Sequence, residues 1–346
     1  MPPTADEQIR FLVDIQRLLD EGSFVASYKF ALLLALADLS VERGDDTGEP
    51  VVITHDGIAE KFIQYYWRQA VPYPAPSQAR VLQQNTGKQA AILNILRDAR
   101  GKYGDSLPAV SSLPVWRPIV REVAIVVRVM PLWKLQTVGQ EHLDFLYGEA
   151  EAARSITLKA GVACCFRKFH ALISDLVRSA WARFVRRQNM DILGETADLS
   201  EFLFGSERAS LAAVRPVLMD IQRGACFYCR TTLKPATTDV DHFIAWARYP
   251  IDLGHNFVLA DRACNNKKRD RLPAVDHLAL WTERNASYGD QIGAALEARG
   301  IVAELAASNQ VARWAYSQAE AANALTWLRG DEMVALDSGW RGLLYA

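Results

Sequence analysis

The chain is short of several features that would place it at a glance. It has almost no net charge, with 39 Lys and Arg against 40 Asp and Glu. At first that argues against a partner as strongly charged as nucleic acid. It has only five cysteines in 346 residues. Its opening, MPPTADEQIRFLVD, lacks the charged start and apolar run of a secretory signal. Thiols without such a signal fit a reducing, cytoplasmic setting. No stretch approaches the roughly 18 apolar residues that a membrane span needs, so no membrane partner is expected. Internal repeats and low-complexity runs are also missing.

Half the residues are hydrophobic, enough for a real core, and the length suggests two or three domains. The pattern divides the chain into residues 1–150, mainly helical with a small β patch; 151–225, a basic helical segment; 226–275; and a helical 276–346. Ile9, Leu12, Val13 and Leu19 give an amphipathic first helix. The stretch 29–39, KFALLLALADL, is apolar on nearly every side and should be buried. Thr54 or Asp56 suits the cap of a third helix through Phe62 and Trp67. Another helix is expected from Lys88 to Arg100, with Ile92, Ile95 and Leu96 inward. Val123, Ile125 and Val127 open a β-flavoured patch of two or three strands across 119–131, 133–139 and 143–148, with turns at Pro131 and Gly139. Cys164 and Cys165 are adjacent in an apolar context and read as buried free thiols.

A long helix is expected over about 157–188. Its stripe is Leu172, Ile173, Leu176, Val177, Ala180, Trp181, Phe184 and Val185. Arg178, Arg183, Arg186 and Arg187 fall largely off that stripe. They are either an ordinary solvated face or a face for a nucleic-acid backbone. The charge distribution bears on this choice. From Arg154 to Gln188 there are eight Lys/Arg and one acid, Asp175; from Arg208 to Arg271 there are eleven against six. A basic middle on a neutral protein is compatible with a phosphate-tracking groove. Pro216 should kink or divide the helix that precedes Cys226. Beyond Pro273 the chain reads as helical throughout, with Trp281, Trp314 and Trp327 at core-like positions.

Residues 226–273 carry the chemistry. The order is Cys-x2-Cys (Cys226, Cys229), eleven residues, Asp241-His242, thirteen residues, Asn256, eight residues, Asn265, and then Lys268 three positions on. Cleaving a phosphodiester requires an activated water, positive charge against the developing negative charge, and help for the leaving oxygen. Bound Mg²⁺ (or Mn²⁺) supplies the last two. Mg²⁺ takes oxygen ligands, often only one or two from protein. Asp241 offers a carboxylate and Asn265 an amide oxygen. His242 has the side chain suited to accept a proton near neutrality. Each residue alone has a plain alternative: an Asp-His pair is usually surface, and Asn265-Asn266 a cap or turn. The joint spacing reverses that balance.

This pattern resembles the HNH endonuclease family, over 48 of the 346 residues. The resemblance implies an α+β, mostly helical fold with a ββα-metal finger embedded in helical surroundings. It assigns His242 as general base, Asp241 and Asn265 as Mg²⁺ ligands, and Asn256 as the asparagine that ties the loop by backbone hydrogen bonds. Lys268 would reach a phosphate, with Lys267, Arg269, Arg186 and Arg187 as further nucleic-acid contacts. His255 reads as variable surface. The aromatic loop Trp246–Tyr249–Pro250 either packs the finger onto its neighbours or meets DNA. Family members of this size occur in bacterial restriction and phage defence. Many also hold structural zinc on two C-x2-C pairs. Here the second pair would fall at 261 and 264, and residue 261 is Asp. One reading is zinc on Cys226, Cys229, Cys264 and Asp261. The other is three reduced thiols, with Asp261 capping the helix that carries Cys264 and Asn265.

The expected function is therefore metal-dependent hydrolysis of DNA, with protein partners left to the N-terminal region. Two alternatives stand beside it. One is a non-catalytic nucleic-acid-binding finger; the other is a nuclease directed at RNA.

Overall fold

The computed structural model describes all residues except 75–78, 149–153, 194–198, 206–207, 300, 302 and 346, and the side chains of 208–212. The expected boundary at 150/151 lies outside these. The fold is α+β and mostly helical, and its sheets among the described residues are two-stranded and antiparallel. The chain forms two units, Met1–Gly205 and Ser206–Ala346. No helix among the described residues is long and apolar enough to cross a membrane.

The first unit comprises α1 (Ala5–Glu21), α2 (Tyr28–Arg43), β1 (Val51–Thr54), α3 (His55–Trp67), α4 (Ala91–Tyr103), α5 (Leu107–Ser111), α6 (Trp116–Val129), α7 (Pro131–Lys134), β2 (Thr137–Val138), β3 (Glu141–His142), β4 (Ser155–Leu158), α8 (Val162–Lys168), α9 (His170–Gln188) and α10 (Leu199–Phe204). Thr4 starts α1 with a reciprocal cap to Glu7. Thr54, and not Asp56, caps α3 by accepting from the Gly57 amide at 3.1 Å. The core runs along α2, buried from Phe30 to Val41. Because it is apolar all round, it can be stable only when neighbours cover every face. Helices α3, α8 and α9 pack against it. In α1 the inward stripe is Phe11, Ile15 and Leu18, while Ile9 and Val13 are exposed. Cys165 is buried and Cys164 partly so, both as free thiols.

Two expectations fail here. The valine-rich stretch at 119–129 is helix α6, not strand. Its buried residues Ile119, Val120, Val123, Ala124 and Val127 recur at helical spacing against α3. Tertiary packing overrides the β preference of branched side chains. Strands β2 and β3, joined around Gly139 at φ 58°, and an antiparallel bridge from Tyr147 to Leu158 recover part of the β patch. The long helix expected from 157 begins instead as strand β4, paired with β1. It becomes α8 and α9, separated at Phe169.

A polar seam crosses this apolar core. Asp38 of α2 is fully buried and accepts from Tyr65 of α3 at 2.6 Å; His170 Nε2 of α9 lies 2.7 Å from its other oxygen. One turn on, Lys61 pairs with Glu42 at 2.6 Å. The Arg167 guanidinium lies against the C-terminus of α2, donating to Val41 O and Gly44 O at 3.0 Å and bonding Asp46 at 2.8 Å. Burial alone would raise the Asp38 carboxyl. The His170 contact, the Lys61 charge and the Tyr65 hydroxyl together hold it below its ordinary value.

The second unit comprises α11 (Arg208–Ile221), β5 (Thr238–His242), β6 (Phe257–Asp261), α12 (Arg262–Lys268), α13 (Val275–Glu297), α14 (Leu305–Ala321), β7 (Leu325–Arg329), β8 (Glu332–Ala335) and α15 (Trp340–Leu344). Pro216 lies inside α11 and does not divide it. The C-terminal stretch is not helical throughout. Leu325–Arg329 forms a hairpin with Glu332–Ala335, turning at Gly330 with φ 49°. Trp281, Trp314 and Trp327 are buried as expected.

Removing the Asp38 charge leaves His170 and Lys61 buried without it. Asp38→Asn should therefore cost roughly 3 kcal/mol in denaturant unfolding of the first unit. A carboxyl held below its ordinary value adds stability above roughly pH 4, and that stability disappears as the pH falls through the lowered folded value. The difference between wild type and Asp38→Asn should thus be full at pH 7 and shrink in acid below about pH 4.

Candidate functional site

The site is built on a β-β-α unit. Strand β5 pairs with β6 in the register Asp239↔Ala260, Asp241↔Val258 and His242↔Phe257, and α12 follows β6 directly. Asp261 is the N-cap of α12, accepting from the Ala263 amide at 2.9 Å. Outside the hairpin, Gln222 completes β6 like a short strand. Its amide donates to Leu259 O at 2.9 Å and accepts from Leu259 N at 2.8 Å.

Asp241 and His242 are neighbours at the end of β5, and their side chains have separate partners. Asp241 is buried and held from two sides. Tyr228 donates its hydroxyl to Oδ2 at 2.6 Å, and Lys268 Nζ lies 3.0 Å from the same oxygen and 3.2 Å from Oδ1. His242, the last residue of β5, places Nε2 2.8 Å from Asp252 Oδ1. Its ring lies against Phe257 and Trp246, with centroids 4.8 Å and 5.4 Å away. A carboxylate on Nε2 fixes the neutral tautomer with the proton there, so Nδ1 is the accepting nitrogen.

The loop between the strands returns through Asn256. Its side chain accepts from Ile244 N at 2.8 Å and donates to Ile244 O at 2.9 Å; its own carbonyl accepts from Phe243 N at 2.7 Å. A buried amide that satisfies both groups of one residue pins the two ends of the loop together. Helix α13 holds the same turn from below. Arg284 donates to Phe257 O at 2.6 Å and His255 O at 2.5 Å, and Trp281 to His255 O at 3.0 Å. Burial pushes the Arg284 guanidinium down to about 9. His255 is not surface. It is buried, with Nε2 bonded to Gly289 O at 3.0 Å, beside Gly293 one turn on.

Helix α12 turns Asn265 toward β5, where its amide nitrogen donates to Asp239 at 3.4 Å; the amide oxygen is the acceptor of this side chain. Lys268 does not reach outward. It is 0% exposed, and its third contact is His242 O at 2.8 Å. Arg269 closes the helix at φ 53°, its amide bonding Asn265 O at 3.0 Å, and its side chain is exposed. Lys267 pairs with Asp331 in the β7–β8 turn at 2.8 Å. Arg186 and Arg187 lie in the last turn of α9, in the first unit. In the aromatic loop, Tyr249 is buried and packs edge-on against Trp314 of α14 at 6.1 Å.

Cys226, Cys229 and Cys264 converge, with sulfurs within 4.8 Å of one another. Asp261 is not among them. Its carboxylate is taken by the Ala263 amide and by Thr237 at 3.2 Å, while its backbone amide donates to Cys226 Sγ at 3.2 Å. Short caps favour the exposed helix amides over a more distant sulfur cluster. Burial would raise Cys229, but hydrogen bonds from Thr231 and the neighbouring thiols bring it below its ordinary value; burial and the charge of Cys226 push Cys264 well up. Three thiols this close cannot all ionise unaided, and a cation such as zinc resolves the conflict. The donors therefore fit a thiophilic metal with three protein ligands.

Sequence reasoning missed Asp252, Tyr228 and Arg284. Tyr228 sits between the two cysteines of the knuckle, so its position was visible but its reach to Asp241 was not. Asp252 is ten residues beyond His242, and no periodicity links them. No family model, curated protein or solved structure matches this chain.

If the three thiols hold zinc, elemental analysis of purified chain should find about one zinc per chain. Cys226→Ser or Cys264→Ser should lose the metal and lower the melting temperature of the second unit. Equal melting with and without chelator would reduce the thiols to plain core.

Proposed function

We propose that residues 226–273 form an HNH-type nuclease finger that hydrolyses phosphodiester bonds of DNA with a divalent metal. The observation that carries this reading is the His242–Asp252 pair at the end of β5, adjacent in sequence to the buried Asp241 carboxylate. Asp241 and the Asn265 amide oxygen are the oxygen donors that would hold Mg²⁺ or Mn²⁺. When bound, that ion supplies charge against the developing phosphorane and the leaving oxygen. The chain's own residues do the rest. His242 Nδ1 takes the proton of the attacking water, and Asp252 stabilises the resulting imidazolium through Nε2. Asn256 and Arg284 keep the loop that carries Asp252 in register with β5. Exposed Arg269, together with Lys267, supplies positive charge at the end of α12 for the nucleic-acid backbone.

One observation favours a second reading. Asp241 is already bonded to Tyr228 and Lys268, as it would be in a finger that binds nucleic acid without cutting it.

Nicking of supercoiled plasmid in Mg²⁺ or Mn²⁺, abolished by EDTA, separates the two. His242→Ala should lower the rate roughly 10²–10⁴-fold. Asp252→Asn should lose a substantial part of that range, because the amide can favour the wrong tautomer while preserving shape. Undiminished nicking by His242→Ala would sink the assignment. Cleavage of RNA but not DNA under the same conditions would move the substrate class.

A further inference from the structure

Lys268 Nζ is fully buried and has three donors. One contact is His242 O at 2.8 Å, and the others are the two oxygens of Asp241 at 3.2 Å and 3.0 Å. With 0% exposure, the ammonium is turned to these groups and does not face a phosphate in solvent. The helix that carries it is closed at both ends: Asp261 caps one end of α12, and Arg269, at φ 53°, closes the other with a hydrogen bond to Asn265 O at 3.0 Å. The carboxylate expected to bind metal thus already carries a resident cation of opposite charge. A divalent ion on Asp241 would sit within a few ångströms of that ammonium, in a poorly solvated place where repulsion is weakly screened.

We propose that Lys268 is the resident counter-cation of Asp241 and sets the metal affinity of the site, keeping the free chain a weak binder of divalent ions. This rests on the reading of Asp241 as a metal ligand. The negative charge needed for firm binding would then come from a nucleic-acid phosphate, a common arrangement for Mg²⁺. Lys268 is accordingly a positioning residue that tunes occupancy, and it does not contact the backbone.

The test measures Mn²⁺ binding to the full-length, DNA-free chain by electron paramagnetic resonance of the free ion. Wild type is compared with Lys268→Met, with Lys268→Gln, which keeps hydrogen-bond donors without charge, and with the double variant Lys268→Gln/Asp241→Asn. Circular dichroism and thiol-metal content report folding. The expected result is Mn²⁺ affinity at least roughly ten-fold tighter in the folded neutral variants, with the gain erased by Asp241→Asn. If a folded neutral variant binds Mn²⁺ no more tightly than wild type, the counter-cation role is overturned, whether or not wild type nicks DNA. Tightening that depends on Asp241, in a chain that never nicks DNA, upholds the role and removes the nuclease reading alone. Absence of both Asp241-dependent Mn²⁺ binding and nicking removes the metal-site reading and this inference with it.

Discussion

The buried carboxylate of Asp241 organises the second unit. A charge taken out of water is tolerated only when it is paired and hydrogen-bonded, and here two different elements meet that demand. Tyr228 comes from the cysteine knuckle and Lys268 from the end of α12. The same two elements carry the three sulfurs, Cys226 and Cys229 on the knuckle and Cys264 on the helix. Whatever holds the sulfurs together therefore also sets the grip on Asp241. The knuckle backbone joins the hairpin directly, with Phe227 N bonded to Leu259 O at 2.9 Å. Sulfur cluster, hairpin and helix are one mechanical piece.

The first unit uses the same device for another end. Asp38 is buried among three helices, bonded to a tyrosine and to a basic ring, as Asp241 is bonded to a tyrosine and a lysine. Around it, α2 offers mostly leucine, alanine and valine, residues that would pack nearly as well after a shift of one turn. A polar contact that is satisfied in one register only can select that register. Asp38, His170 and Lys61 at its centre are buried. The two aspartates differ in their neighbourhood. Asp38 lies mid-helix in a closed core, whereas Asp241 lies one residue from a strand end and next to a histidine with its own carboxylate.

How much of this was legible depended on whether a single element could express it. The all-apolar α2, the Thr54 cap and the buried tryptophans follow from local rules, and each was visible. The stretch at 119–129 was misread because β-branched residues carry a strand preference that helical spacing of the buried set overrode. The seven-residue α12 was also readable, since Asp261 before it is a cap by chemistry alone. Its cap role took Asp261 away from the sulfurs. Asp252 and Arg284 had no local signature, because their partners lie 10 and 27 or more residues away.

The amino-acid sequence by itself determined which residues could do chemistry: an acid and a histidine side by side, two asparagines at set distances, three thiols and a lysine. The ββα order came only as an implication of the family resemblance, with Asp261 as one of two readings, helix cap or metal ligand. Tertiary structure alone decided what those residues do to one another. It turned Lys268 inward onto Asp241 and the His242 carbonyl, because α12 packs against β5 and buries the ammonium. It gave His242 a carboxylate partner because Asn256 folds the intervening loop back on itself. Long-range electrostatics and loop closure depend on distances in space, and spacing along a chain does not contain them.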